Sequence, residues 1–324
     1  MVITVIKEWY KEEITRVCQK VNSLEKDLVF GIAADSHLDN SMEDFAENIK
    51  AVDEKINMKC LTHLGDFMNG NLPRNVTMKV LDEQMTLYRN AVSNKHFYPA
   101  QGNHDGFSGD RAVDSDWFEA TKFTDSYENV VRPENKPYFY ADFEDLKVRF
   151  IIVSTFFYEG YDDGTPYKKR DGIDDKQAKW LENEAFDIKE GWTVFLFSHD
   201  CPLENYEEES RYKETAIHNG GRIFNSLVEK SKEKGFDIGV WFIGHFHGDN
   251  HICVDGINFV TVASQTAYVP TLFDMPLGEY PQRDLNTVTE DSWEVAVWNK
   301  EEKTVNLIRF GAGNDRVIKY GGRI

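Results

Sequence analysis

The chain predicts an α/β fold in which two mixed sheets pack face to face with helices on the outside. Three observations carry this. Short apolar runs alternate with helix-period segments through the N-terminal third, as parallel βαβ units require. In the middle, residues 138–141 and 148–154 are strand-like with no helical pattern between them, which fits an antiparallel pair. The chain then ends in strand-like segments, without a closing helix.

The elements follow in order. Ile6, Tyr10, Ile14, Val17, Val21 and Leu24 recur at three- and four-residue steps, so residues 1–27 read as an amphipathic helix packed on the domain. Lys7, Glu8, Lys11, Glu12 and Glu13 interrupt any apolar stretch there, which argues against a signal peptide. Residues 28–34 form a buried strand ending at Asp35. A helix over 42–56 presents Phe45, Ile49, Val52 and Ile56 on one face. Residues 60–64 are a second strand ending at Gly65-Asp66, 76–92 a helix, and 96–100 a strand leading to Gly102. Beyond the middle pair come a helix (174–188), a strand (192–197), a helix (221–234) and a strand (238–243). Residues 251–254, 257–263, 293–298 and 304–310 read as strands, the last two joined as a hairpin. No Pro/Gly/Ser-rich linker divides the chain. Residues 28–324 are therefore expected to form one domain, with 271–324 a strand-rich extension of the second sheet.

Composition narrows the function. Hydrophobic content of 41% and charged content of 29% suit a soluble globular protein, and 324 residues can bury a core without disulfide staples. The formal net charge of −19 opposes a nucleic-acid backbone, so duplex nucleic acid is disfavoured as the main partner. A small phosphorylated molecule is compatible if bound metals supply local positive charge. Cys18, Cys60, Cys201 and Cys253 form no CxxC pair and read as free thiols in a reducing compartment. No apolar run reaches the length of a membrane span, and a cytoplasmic location is the default.

The polar residues that matter stand where strands end: Asp35-x-His37, Gly65-Asp66, Gly102-Asn103-His104-Asp105, His199 and Gly244-His245-Phe246-His247. Carboxyl ends of strands in open α/β sheets converge on one rim, where ligands bind. Carboxylate and imidazole suit divalent first-row metals. Two ions about 3.5–4 Å apart call for a bridging carboxylate, for which Asp66 is the natural choice. Glycine before Asp66, Asn103 and His245 lets the backbone turn sharply over the rim.

DxH, GD, GNHD, a lone His and GHxH, in that order, resemble the calcineurin-like metallophosphoesterase family. The resemblance spans Asp35 to His247 and implies a four-layer α/β/β/α sandwich with a dinuclear site of two divalent transition-metal ions. Mn²⁺ is favoured, with Fe, Zn and Ni as alternatives. By the same resemblance, Asp35, His37, Asp66 and His247 hold the first ion, and Asp66, Asn103, His199 and His245 the second. A water activated by both ions attacks phosphorus in line. His104 protonates the leaving oxygen, and Asp105 orients His104 and keeps it protonated. Asn69 stands three residues after Asp66, where purple acid phosphatases are expected to carry tyrosine. Gly65-Asp66-Phe67-Met68-Asn69-Gly70 followed by GNHD also departs from the GDxxDRG and GNHE of Ser/Thr protein phosphatases.

The implied activity is hydrolysis of a small phosphodiester or phosphomonoester. A catalytically silent scaffold for protein binding and a nuclease acting on single-stranded ends are the alternatives. Asn69, His218 and Arg222 are further candidates for substrate contact, the last two because they flank a loop ahead of a helix. Phe156, Phe157, Tyr158 and Tyr161 line either a pocket or the core. Residues 201–217 form either a lid or a surface loop.

Overall fold

Leu28–Ala33 (β1) is buried at every position, as a strand covered on both faces must be. The computed structural model describes residues 6–38, 41–70, 73–92, 95–105, 114–159, 168–203, 218–267 and 280–321. Before β1 lies α1 (Glu8–Ser23), and after it α2 (Met42–Ile56), β2 (Cys60–His63), α3 (Arg74–Ala91), β3 (His96–Pro99) and α4 (Asp114–Thr121). The middle contributes β4 (Val130–Val131), β5 (Phe139–Phe143), β6 (Val148–Ile152), β7 (Phe156–Glu159), β8 (Lys168–Asp171) and α5 (Asp175–Trp180). There follow β9 (Thr193–Ser198), α6 (Gly220–Lys234), β10 (Asp237–Ile243), β11 (Asn250–Val254) and β12 (Ile257–Thr261). The chain closes with β13 (Ser292–Asn299), β14 (Thr304–Gly311) and β15 (Arg316–Lys319).

One sheet runs β15-β14-β13-β1-β2-β3 and the other β11-β12-β10-β9-β6-β5-β4, with β7-β8 a separate ribbon. The two-residue period of each strand sorts its side chains into three cores, which are the three interfaces of a four-layer sandwich. On β13, Trp293, Val295 and Val297 meet α1, α2 and α3, whereas Ala296 and Trp298 face the other sheet. On β9, Phe195 and Phe197 enter the layer between the sheets, and Val194 and Leu196 meet α5 and α6. Phe30 sits at the centre of the middle layer, 4.9 Å from Phe150 and 5.8 Å from Phe195 by ring centroid, both tilted or edge-on. Such pairs add about 0.5–1.5 kcal/mol each beyond their area.

Two expectations are corrected. The C-terminal strands extend the first sheet, not the second: β13 lies antiparallel to β1 with Phe30 opposite Ala296. β2 covers only one edge of β1, and the buried strand needs a ladder on the other edge as well. The helix expected over 174–188 stops at Trp180 and continues as a π-type turn, Leu181–Ala185. The Arg149 guanidinium sits at its end and donates to the carbonyl of Ala185 at 2.9 Å. Among the described residues the cysteines are free, and no helix is long and apolar enough to cross a membrane.

Candidate metal centre

β1, β2 and β3 run parallel in one sheet, and β9 and β10 run parallel in the other. Their carboxyl ends meet at one rim, and the loops there are joined by backbone hydrogen bonds. Asp35 N–H donates to Gly65 O (3.0 Å), His37 N–H to Asp66 O (3.0 Å) and Gly244 N–H to His199 O (3.1 Å). Each strand therefore delivers its next polar residue to the same place.

There Asp35, His37, Asp66 and His247 offer ligand atoms that all lie within 4.8 Å of one another. Asp66, His199 and His245 form a second such group, so Asp66 belongs to both. Asn103 Oδ1 lies 2.8 Å from His199 Nε2 and 3.0 Å from His245 Nδ1, which puts the amide oxygen with the second group. His37 Nε2 and His247 Nε2 stand 3.1 Å apart, and His199 Nε2 and His245 Nδ1 3.2 Å apart. Two nitrogens each about 2.1 Å from one ion stand about 3–3.4 Å apart, so the spacing suits shared coordination. The outer nitrogens are occupied: His37 Nδ1 faces the Met68 carbonyl (3.1 Å) and His199 Nδ1 the Leu64 carbonyl (2.7 Å). A carbonyl only accepts, so Nδ1 carries the proton and Nε2 is turned inward.

The charge balance also fits cations. Asp35 and Asp66 are fully enclosed. Burial pushes the Asp66 carboxyl up, yet the charge of His199 and the hydrogen bond to it reverse this and leave it below the usual carboxylate range. The reciprocal effect overcomes burial at His199 and holds its imidazole up at about 10. His245, at the same rim, is pushed by burial and by His199 down to about 3. The two ionised carboxylates outnumber the one imidazole held protonated, His199, while burial keeps His37 and His245 from protonating, so the pocket is short of positive charge. The donor set and this shortage match two divalent ions.

The backbone is strained here. Asp35, His37, Asp66, His245 and His247 all have φ between 48° and 69°, the left-handed region. Each such non-glycine residue costs on the order of 1–3 kcal/mol, and strain of this kind clusters at functional sites. Of the three preceding glycines only Gly65 makes a left-handed turn, with φ 99°. Gly102 is required by proximity, since a Cβ there would stand 2.2 Å from Asp66 Oδ1. Gly244 likewise makes room, for Asp35 Oδ2 at 3.0 Å.

His104 stands at the edge of the cluster with its side chain 34% exposed and Nε2 4.0 Å from Asp66 Oδ2. The Asn69 carbonyl, 3.0 Å from Nδ1, holds the ring, so Nε2 is the nitrogen turned toward the cluster. The orienting role expected of Asp105 is therefore corrected. Its carboxylate accepts the backbone N–H groups of Asp66 (2.9 Å), Phe67 (2.7 Å) and Gly102 (2.8 Å), which ties the second and third loops together. Burial, with Asp66 adding to it, pushes that carboxyl up to about 7 against the pull of these amides.

The structure does not support the phosphate role expected of Arg222, whose guanidinium grips Glu182 at 2.7 and 2.6 Å. His218 lies beside Gly172 through a backbone bridge and is absent from both ligand groups. Asn69 meets the site through its main-chain oxygen. Phe156 is buried, with its ring 5.8 Å from that of His199. Tyr161 and residues 204–217 lie outside the described residues. Sequence reasoning missed the supporting groups: the carbonyls of Leu64, Met68 and Asn69, and Ser264, whose hydroxyl donates to Asp35 O at 2.7 Å. Main-chain oxygens carry no residue-type signal, and one serine among many carries little.

Fold and site together give two groups of ligand-type residues, sharing Asp66 at the rim of a sandwich, each of which could hold a metal ion. The sequence model of the calcineurin-like phosphoesterases matches residues 28–249, and the chain belongs to that family. A dimetal phosphatase from Danio rerio has a similar fold, with 13% identity over 92% of this chain and 100% of its own and a TM-score of 0.60. GAP50, the anchor in the inner membrane complex of Plasmodium, aligns at 10% identity over 92% of this chain and 90% of its own, with a TM-score of 0.47. No curated protein matches the chain by sequence.

Proposed function

We propose that this protein hydrolyses a small phosphomonoester or phosphodiester at a centre of two divalent ions, Mn²⁺ in the first instance. The observation that carries the reading is the pair of ligand groups sharing one buried carboxylate, Asp66. Asp35, His37, Asp66 and His247 would hold one ion, and Asp66, Asn103, His199 and His245 the other. When bound, the ions supply charge neutralisation for the phosphoryl oxygens and lower the pKa of water.

The chain's own residues do the rest. Asp35 and Asp66 remain ionised as ligands, and the carbonyls of Met68 and Leu64 keep His37 and His199 presented through Nε2. His104, held at Nδ1 by the Asn69 carbonyl, offers Nε2 to the leaving oxygen and donates its proton there. Asp105 acts on the loops, keeping Asp66 and Gly102 in register, not on the imidazole. The free thiols support a reducing compartment, in keeping with a cytoplasmic enzyme.

The test is hydrolysis of p-nitrophenyl phosphate and bis-p-nitrophenyl phosphate by Mn²⁺-loaded protein. Asp66→Ala is expected to lose both ions and all measurable activity. His104→Ala is expected to keep its metal and lose about 10²–10⁴ in kcat. Full turnover by Asp66→Ala would refute the two-metal reading, and a metal-free parent would point to a silent scaffold.

A further inference from the structure

We infer that the segment from Arg283 to Arg316, outside the family match, positions Asp35 and His247 and so sets the affinity of one half of the metal centre separately from the other. This rests on the two-metal reading above.

Arg309 on β14 is buried, 1% exposed, in the middle of an ion quartet. Its Nη2 donates to Asp249 Oδ1 (2.5 Å) and Glu294 Oε1 (2.8 Å), and its Nη1 to Ser292 Oγ (2.7 Å). Arg316 on β15 donates to the same Glu294 oxygen at 2.7 Å and stands 3.4 Å from Asp249 Oδ1. Asp249 lies two residues beyond His247, and its Oδ1 also accepts Ala263 N–H at 3.2 Å. The next amide, Ser264 N–H, donates to His247 O at 3.3 Å. The left-handed turn at His247 is thus fastened through Asp249 to β14 and β15 of the first sheet, and through its own carbonyl to the loop after β12.

Arg283 completes the brace on the Asp35 side. Its guanidinium donates to the carbonyls of Ser264 (2.6 Å), Gln265 (2.7 Å), Thr289 (2.7 Å) and Glu290 (2.6 Å). Ser264 Oγ in turn donates to Asp35 O (2.7 Å), and Gln265 N–H to Ala34 O (2.8 Å). Arg283 therefore reaches the carbonyls of Asp35 and His247 through Ser264, and Arg309 holds the His247 loop at Asp249, two residues on. His199, by contrast, is held by the Leu64 carbonyl and flanked by Phe156, both inside residues 28–249.

Cohesion of the sheet alone would not call for this chemistry. Well-packed apolar side chains join strands at least as well as a buried ion network, because the network must lose its hydration. Among the described residues, this one leaves Arg309 Nε and Glu294 Oε2 without partners. Gly313, with φ 109°, keeps it clear: a Cβ there would stand 3.1 Å from Asp249 Oδ2. What charged pairs add is direction, and here the direction leads to the ligand loops.

The experiment is a calorimetric Mn²⁺ titration of the full chain, with a thermal melt of each variant. His247→Ala and His199→Ala assign each binding step to its half of the centre. Asp249→Asn removes the charge facing Arg309 but keeps an oxygen for Ala263 N–H. It is expected to weaken the step that His247→Ala abolishes by about 10–100-fold and to leave the other within about twofold. Arg283→Gln leaves the quartet intact and is expected to weaken the same step, which keeps the test open if Asp249→Asn does not fold. Arg149→Met breaks a buried arginine contact on the far face of the second sheet and should lower Tm with neither step changed. Equal weakening of both steps, or unchanged binding in folded Asp249→Asn and Arg283→Gln, overturns the inference. A parent that takes up no Mn²⁺ overturns the two-metal reading instead.

Discussion

The two rims of the sandwich are made by the same strands and carry opposite chemistry. At the amino ends of β1, β2 and β3, two open clefts of about 400 and 810 Å³ share Lys59 and Asp145. Their charges are matched in ordinary ways: Lys95 pairs with Asp53 at 2.6 Å, and Lys59 lies 3.9 Å from Asp145. Left-handed residues in that region sit in ordinary places, Asn57 at the C-cap of α2 and Lys147 in the turn between β5 and β6. At the carboxyl ends, carboxylates and imidazoles are enclosed and five ligand-type residues hold strained backbone. One rim has open clefts with matched charges; the other combines strain with unbalanced charge, and that combination implies chemistry.

The sharpest way to break this contrast is to fill the tight rim. Gly102→Ala would drive a Cβ into Asp66, and roughly 3 kcal/mol of stability should go, together with Mn²⁺ binding and turnover. Near-parental activity and melting would show that the close approach at the rim is dispensable.

A smaller effect is expected at Asp291, which lies outside the ligand groups. Burial raises its carboxyl to about 7 against the hydrogen bond from Asn48. The folded protein then holds a proton that the unfolded chain releases near pH 4, so this group's contribution to stability falls as pH rises from about 4 to 7. Its slope is at most about 1.4 kcal/mol per pH unit. Asp291→Asn should flatten the denaturation midpoint across that window. An unchanged pH profile would remove Asp291 as the source.

The smallest change belongs to the open rim. Lys59→Ala should alter stability by less than about 0.5 kcal/mol and leave hydrolysis unchanged, because its ion pair is exposed. A tenfold loss of activity would give that rim a role and end the contrast.

The ligand clusters were legible in sequence because each combines two local signals, an apolar run and a metal-binding residue at its end. The role that the resemblance implies for Asp105 fails because its oxygens are taken by amides of residues 66, 67 and 102, which the order of residues does not reveal. Arg222 was misjudged because a cation ahead of a helix looks available until Glu182, distant in sequence, is brought beside it. The partner sheet of β13 was equally hidden, since Trp293 to Trp298 fixes which faces are apolar and says nothing of the neighbouring strand. Residue types reveal local chemistry; long-range partners and main-chain oxygens appear only in three dimensions.

The five left-handed residues have a consequence for selection. Because glycine adopts their backbone without penalty, Asp35→Gly or His247→Gly would relieve strain as it removes a ligand. A screen of metal-free protein for heat resistance alone would therefore erode these positions early, yielding sturdier molecules that no longer work.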